Sequence, residues 1–206
     1  MKKGLLVCIS GPSGVGKGTI VKALLKEDPN VTVSVSATTR APREGEANGV
    51  DYWFVDNTEF DRMVKNNEFL EWAQVYLNRY GTPKAACEKL QQSGKDVILE
   101  IDVQGSLNVM RNTEDVVSIF ILPPDPVTLR SRLEGRGSET PESLSVRLRN
   151  AANELEISRQ YDYVVVNDTV EAAVEEIRTI LRSEKLKEKR NQPFIRNLIE
   201  TLKEAQ

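Results

Sequence analysis

Not one of the 206 residues is a histidine. That absence excludes every mechanism built on an imidazole base, including the serine and cysteine triads, and every histidine zinc site. Cysteine is nearly absent too. Cys8 falls in an apolar strand run and Cys87 in a helical pattern, neither with a metal-ligand spacing partner, so both are expected to be small buried fillers in a reducing cytoplasm. No apolar run approaches the ~18 residues of a membrane span. The opening "MKKGLLVCIS" has two lysines, but its apolar run ends after about six residues at "GPSG", short for a signal-peptide core, and predicts a buried first strand instead. A net charge of −3 lacks the positive excess that would draw nucleic acid or an acidic membrane. Neither is expected as a partner, and an anionic ligand needs a local basic cluster. What remains for chemistry is carboxylates, guanidiniums, lysines, backbone amides or a metal. Phosphoryl transfer fits that inventory, because positioning and charge stabilisation do most of its catalysis.

The 39% hydrophobic and 29% charged residues describe an ordinary globular chain with one sizeable core. "GLLVCIS" (Gly4–Ser10) is continuously apolar, the pattern of a strand buried on both faces. A helical pattern follows through Ile20, Val21, Leu24 and Leu25, and "VTVSVS" (Val31–Ser36) alternates as a strand. Helices are predicted over "NTEFDRMVKNNEF" and "PKAACEKLQQSG", the latter with Pro83 at its start and Gly94 just past its end. "KDVILEIDVQG" (Lys95–Gly105), "DVVSIFILPP" and "YDYVVVND" read as further strands, with helices after the last two. Strands alternating with helices predict an α/β protein with an open parallel sheet covered on both faces. In the tail, Ile195, Leu198, Ile199 and Leu202 share one helical stripe, which either packs on its own domain or makes a dimer contact.

Gly11, Pro12, Ser13, Gly14, Val15, Gly16 and Lys17 follow the first strand and open the first helix. That context marks a phosphate-binding loop. Glycines let backbone N–H groups wrap phosphate oxygens, the helix start adds its positive dipole end, and Lys17 reaches the β- and γ-phosphates. Gly18 stands where such loops usually carry a magnesium-ligating hydroxyl, but Thr19 follows and can offer its own. The Gly-Thr pair resembles the loop of adenylate kinases, where phosphates and water hold most of the magnesium. "DVQG" (Asp102–Gly105) mimics a GTPase switch motif, yet no Asn-Lys-x-Asp guanine-reading motif is present. The strand before it ends in two acids, Glu100 and Asp102, either of which could orient hydrated magnesium. On an alternating strand they share a face, and Asp102 is taken as the substrate-facing one.

Arg40 and Arg43, three residues apart in a proline-containing loop, either converge on one phosphate as bidentate donors or belong to a solvated surface loop. The order "GPSGVGKGT", "SATTRAPREGEANGVDYWFV", "NNEFLEWAQVYLNRYGTP", "VILEIDVQG" and "LEGRGSETPESLSVRL" resembles the guanylate kinase family from about Gly4 to about Lys185. The resemblance implies a P-loop nucleoside monophosphate kinase fold, a parallel core with a GMP-binding insertion (about 36–91) and a helical lid (about 125–157); it does not cover 186–206, which the apolar stripe predicts to be a C-terminal helical extension. It implies transfer of the ATP γ-phosphoryl group to GMP with magnesium, dGMP remaining open as an acceptor. Arg40, Arg43, Tyr52 and Tyr80 match its acceptor-phosphate contacts, and Ser36, Glu71 and Thr82 its guanine readers. Glu100 and Asp102 match acids near acceptor and metal. Arg132, Arg136 and Arg147 match lid arginines that spread transition-state charge, and Asn167 a position beside adenine. An ionised Glu71 can accept from both N1–H and N2–H₂ of guanine, a donor pair that adenine lacks. The rival reading is a catalytically silent guanylate-kinase-like module that binds phosphopeptides; such modules typically lose the loop lysine and glycines that are kept here.

Overall fold

The first strand explains the sheet. β1 (Leu6–Ser10) is buried along its whole length, and its side chains alternate between two cores. Val7 and Ile9 pack with Ile20 and Leu24 of α1 (Lys17–Glu27) and with Ala173 and Ile177 of α7 (Val170–Leu186). Leu6 and Cys8 pack on the other face with Val97 and Leu99 of β7 (Asp96–Glu100), Cys87 of α3 (Lys84–Gln92) and Val109 of α4 (Val103–Asn112). A strand covered on both faces has no use for a polar face, hence the continuous apolar run. The computed structural model describes residues 3–75, 77–134 and 141–205. Within them the main sheet is parallel, in the order β2-β7-β1-β8-β9, with β2 at Val31–Val33, β8 at Val116–Leu122 and β9 at Tyr163–Val166. Chain order reverses beside β1, so the loop leaving its C-terminal end lies at the topological switch point, where open α/β sheets bind ligands.

A second sheet, in the order β4-β3-β6-β5, carries the insertion. It comprises β3 (Ala37–Thr38), β4 (Trp53–Phe54), β5 (Phe69–Val75) and β6 (Asn78–Pro83). The helix α2 (Asn57–Lys65), capped by the Asp56 side chain on the Glu59 N–H, packs Phe60 against Ala37 and Phe69. Two helices, α5 (Pro126–Glu134) and α6 (Pro141–Ile157), lie over the C-terminal end of the main sheet, and α8 (Glu188–Glu204) ends the chain. No helix among the described residues is long and apolar enough to cross a membrane.

Two expectations need correction. The strand expected over Val31–Ser36 stops at Val33, because the chain changes partner: Ser34 N–H still bonds Ile98 O, but Ser36 O already accepts from Trp53 N–H of the second sheet. The strand expected through Gly105 stops at Glu100, and Asp102 caps α4 by accepting from Gly105 N–H at 2.7 Å. The two acids therefore do not share a strand face. The hairpin of β5 and β6 had no counterpart in the sequence reading. The C-terminal stripe of Ile195, Leu198, Ile199 and Leu202 is 37%, 49%, 47% and 59% exposed. Both cysteines are free and buried, as expected, and burial pushes the Cys8 thiol up to about 12.

Candidate active site

The donor side is built from backbone. Gly11, Gly14 and Gly16 all have positive φ, at 145°, 84° and 96°. At Gly16 a Cβ would also lie 2.5 Å from Asn167 Nδ2, so only glycine fits there. Asn167, buried just after β9, donates from Nδ2 to Val15 O at 2.7 Å and ties the far edge of the sheet to the loop. Its Oδ1 is buried with no hydrogen-bond partner among the described residues. Lys17 Nζ donates to Gly11 O at 2.5 Å and to Pro12 O at 3.3 Å, arching back over the loop. Arg132 of α5 reaches Val15 O and Asn167 O at 3.3 and 3.4 Å, and Arg147 of α6 donates to Ser13 Oγ at 2.7 Å. Arg136 lies outside the described residues.

These groups border a cavity of about 450 Å³ lined by Gly11, Pro12, Ser13, Gly14, Val15, Gly16, Lys17, Gly18 and Thr19, and facing Glu100 and Asp102. Thr19 is exposed to it at the start of α1. The missing hydroxyl at Gly18 has a local explanation: a Cβ there would sit 3.2 Å from Glu100 Oε1. The glycine leaves room for a carboxylate. Lys22, Val103 and Glu154 also line the cavity and were missed by sequence reasoning. No spacing signal links Glu154 to the loop; only the packing of α6 brings it there.

The acceptor side is built from side chains. Glu71 on β5 and Thr82 on β6 face each other across the hairpin, and Thr82 Oγ1 donates to Glu71 Oε1 at 2.6 Å. Burial raises the Glu71 pKa, the Thr82 hydroxyl lowers it in part, and the negative charge of Asp102 raises it further. Gly105 sits between the two acids: a Cβ there would come within 3.3 Å of Asp102 Oδ1 and of Glu71 Oε2. Asp102 thus belongs to both halves, facing the phosphate cavity and the half-buried Glu71. Arg40, Tyr52 and Tyr80 form a second group, with Arg40 Cζ 5.4 Å from the Tyr52 ring and the two tyrosine rings 5.9 Å apart. Arg43 is exposed and joins through its backbone N–H, which donates to Glu46 Oε2 at 2.7 Å. Glu46 also pairs with Arg40 at 2.8 Å, a partner that its place three residues after Arg43 could have suggested. Ser36 is half-buried at the junction of the two sheets.

A parallel sheet with a phosphate loop after its first strand, and a carboxylate pocket on an inserted sheet, defines a P-loop phosphotransferase of the nucleoside monophosphate kinase fold. The guanylate kinase family profile matches residues 3–184, and the chain belongs to that family. It is 53% identical over 183 residues to a guanylate kinase of Clostridium perfringens, spanning 89% of this chain and 85% of that one. A Clostridioides difficile guanylate kinase is 46% identical over 204 residues, spanning 99% and 98%. The crystal structure of guanylate kinase from Anaplasma phagocytophilum superposes with a TM-score of 0.70 at 39% identity, covering 92% of this chain and 90% of that chain.

Proposed function

We propose that this protein transfers the γ-phosphoryl group of ATP to GMP, giving ADP and GDP. The observation that carries the reading is the Thr82–Glu71 pair beside Asp102, a half-buried carboxylate held by a hydroxyl and linked through Asp102 to the phosphate cavity. An ionised carboxylate there pairs with both guanine donors, whereas adenine would leave its lone pairs unmatched, a loss of about 1–3 kcal/mol. Ser36 and the Thr82 hydroxyl face the remaining edge of the base in this reading. Arg40, Arg43, Tyr52 and Tyr80 hold the acceptor phosphate, Arg40 exchanging Glu46 for it. The attacking phosphate oxygen of GMP is already anionic, so no base is required, in keeping with a chain that has no histidine. Lys17, Arg132, Arg136 and Arg147 balance the charge that spreads over the transferring group. Asn167 lies beside the adenine of the donor.

The donor set facing the loop suits a hard cation: Thr19, and Glu100 or Asp102 through water, are all oxygen ligands. Bound Mg²⁺ supplies charge neutralisation at the β- and γ-phosphates. The same reading assigns 4–185 to the kinase domain and 186–206 to an extension, and the free buried cysteines support a cytoplasmic site of action. The retained Gly11, Gly14, Gly16 and Lys17 speak against the silent phosphopeptide module.

The test is ADP production from ATP and magnesium with GMP, dGMP, AMP, CMP or UMP offered separately. Turnover with GMP far above AMP is expected; turnover with none of the five, despite ATP binding, overturns the proposal. Closure of the insertion (about 36–91) and lid (about 125–157) around both nucleotides would exclude water as a competing acceptor. It is expected as a more compact solution-scattering profile when both nucleotides are bound.

A further inference from the structure

The roles above leave two charged groups in the phosphate cavity without a task, Lys22 and Glu154, and only the second is an anion. Glu154 projects from α6, half-buried, into the space lined by Ser13, Lys17, Lys22, Glu100 and Asp102. It stands seven residues after Arg147, two helical turns along the same face. That face meets the phosphate loop twice. Arg147 donates to Ser13 Oγ at 2.7 Å, and the Glu154 carboxylate borders the same cavity as Ser13 and Lys17, close enough for the Lys17 charge to act on it. Burial is the largest influence on this carboxyl and pushes its pKa up; Lys17 and the Ser13 N–H pull it down, and Asp102 adds to the burial. A phosphate loop offers few N–H groups and one lysine, and a carboxylate that uses them uses what a phosphate would use.

We infer that Glu154 competes with the triphosphate of ATP for the phosphate loop and thereby sets the affinity for the donor nucleotide. On ATP binding the phosphates take the place of the carboxylate beside Ser13 and Lys17. Removing the charge should therefore tighten donor binding, and tighten it more for more highly charged donors. The inference rests on the kinase reading only for the identity of the donor; the acceptor plays no part in it.

The experiment is calorimetric titration of the full chain and its Glu154→Gln and Glu154→Ala variants with ATP, ADP and adenosine, without acceptor, with and without magnesium. In the absence of magnesium both variants should bind ATP about fivefold tighter, ADP less so and adenosine unchanged. Magnesium, by neutralising phosphate charge, should shrink the gain. Unchanged or weaker ATP binding without magnesium overturns the inference. So does weaker binding confined to magnesium, which would assign the carboxylate to the metal, or an equal loss for all three ligands, which would make Glu154 a support for α6 only. Failure of GMP turnover would leave these outcomes readable, and an unresponsive Glu154→Gln would leave the GMP assignment standing.

Discussion

The donor and acceptor halves of this site recognise anions by different means. The phosphate loop is nine consecutive residues whose backbone does the binding, with left-handed glycines and a buried asparagine bracing it from β9. The acceptor pocket gathers side chains from four strands or loops of the insertion and from the cap of α4. Backbone N–H groups recognise any phosphate, so the donor half is general. In the function proposed above, a carboxylate held by a hydroxyl distinguishes one base from another, which makes the acceptor half the selective one. The difference teaches that affinity for phosphate and choice of nucleotide can be changed separately here, except at Asp102, which faces both.

The largest effect should come from Lys17→Ala, a loss of about 10²–10³ in kcat with GMP, with GMP affinity by calorimetry unchanged. Weakened GMP binding in that variant would break the separation of the halves. Next comes Glu71→Gln, which should lower kcat/KM for GMP by roughly 10- to 100-fold and leave ATP affinity alone. Its measurement is steady-state kinetics against each substrate in turn.

A smaller effect concerns pH. Burial and Asp102 raise the Glu71 pKa above its ordinary value, and in the function proposed above guanine pairs with the ionised form. KM for GMP should therefore rise as pH falls through that raised pKa, while KM for ATP stays flatter, and Glu71→Gln should remove the difference. The stability linkage has the opposite trend. The folded chain holds this proton at pH values where the unfolded chain has lost it, so the contribution of Glu71 to stability declines as pH rises from the unfolded to the folded pKa. Chemical denaturation across that window, wild type against Glu71→Gln, measures it.

The smallest effect is expected at Gly18→Ser. The new Cβ meets only the end of the exposed Glu100 side chain, which can turn away, so kcat should change by less than about threefold. A collapse in activity would mean that Glu100 must stay where it is, and would sharpen its assignment to the metal over that of Asp102.

Much of the fold was legible because its signals are local. The apolar run of β1, the periodicity of α1 and the glycine spacing of the loop are each contained in one segment. The misreadings came where a local pattern continued past a change of partner. Val-Ser alternation runs on through Ser36 although the main sheet ends at Val33, and "VILEIDVQG" continues smoothly although Asp102 has begun a helix.

By itself, then, the sequence determined the parallel α/β class, the phosphate loop and the absence of imidazole chemistry, since these depend on residue type and short-range spacing. The family's motifs pointed to the acceptor residues. Only the tertiary structure decided which of them touch: Thr82 on Glu71 across a hairpin, Glu46 on Arg40, and Asp102 against Glu71 through the gap that Gly105 leaves. It alone brought Glu154 to the loop. Such contacts depend on strand register and helix packing, which bring together residues far apart in the chain and leave no trace in the spacing of either one.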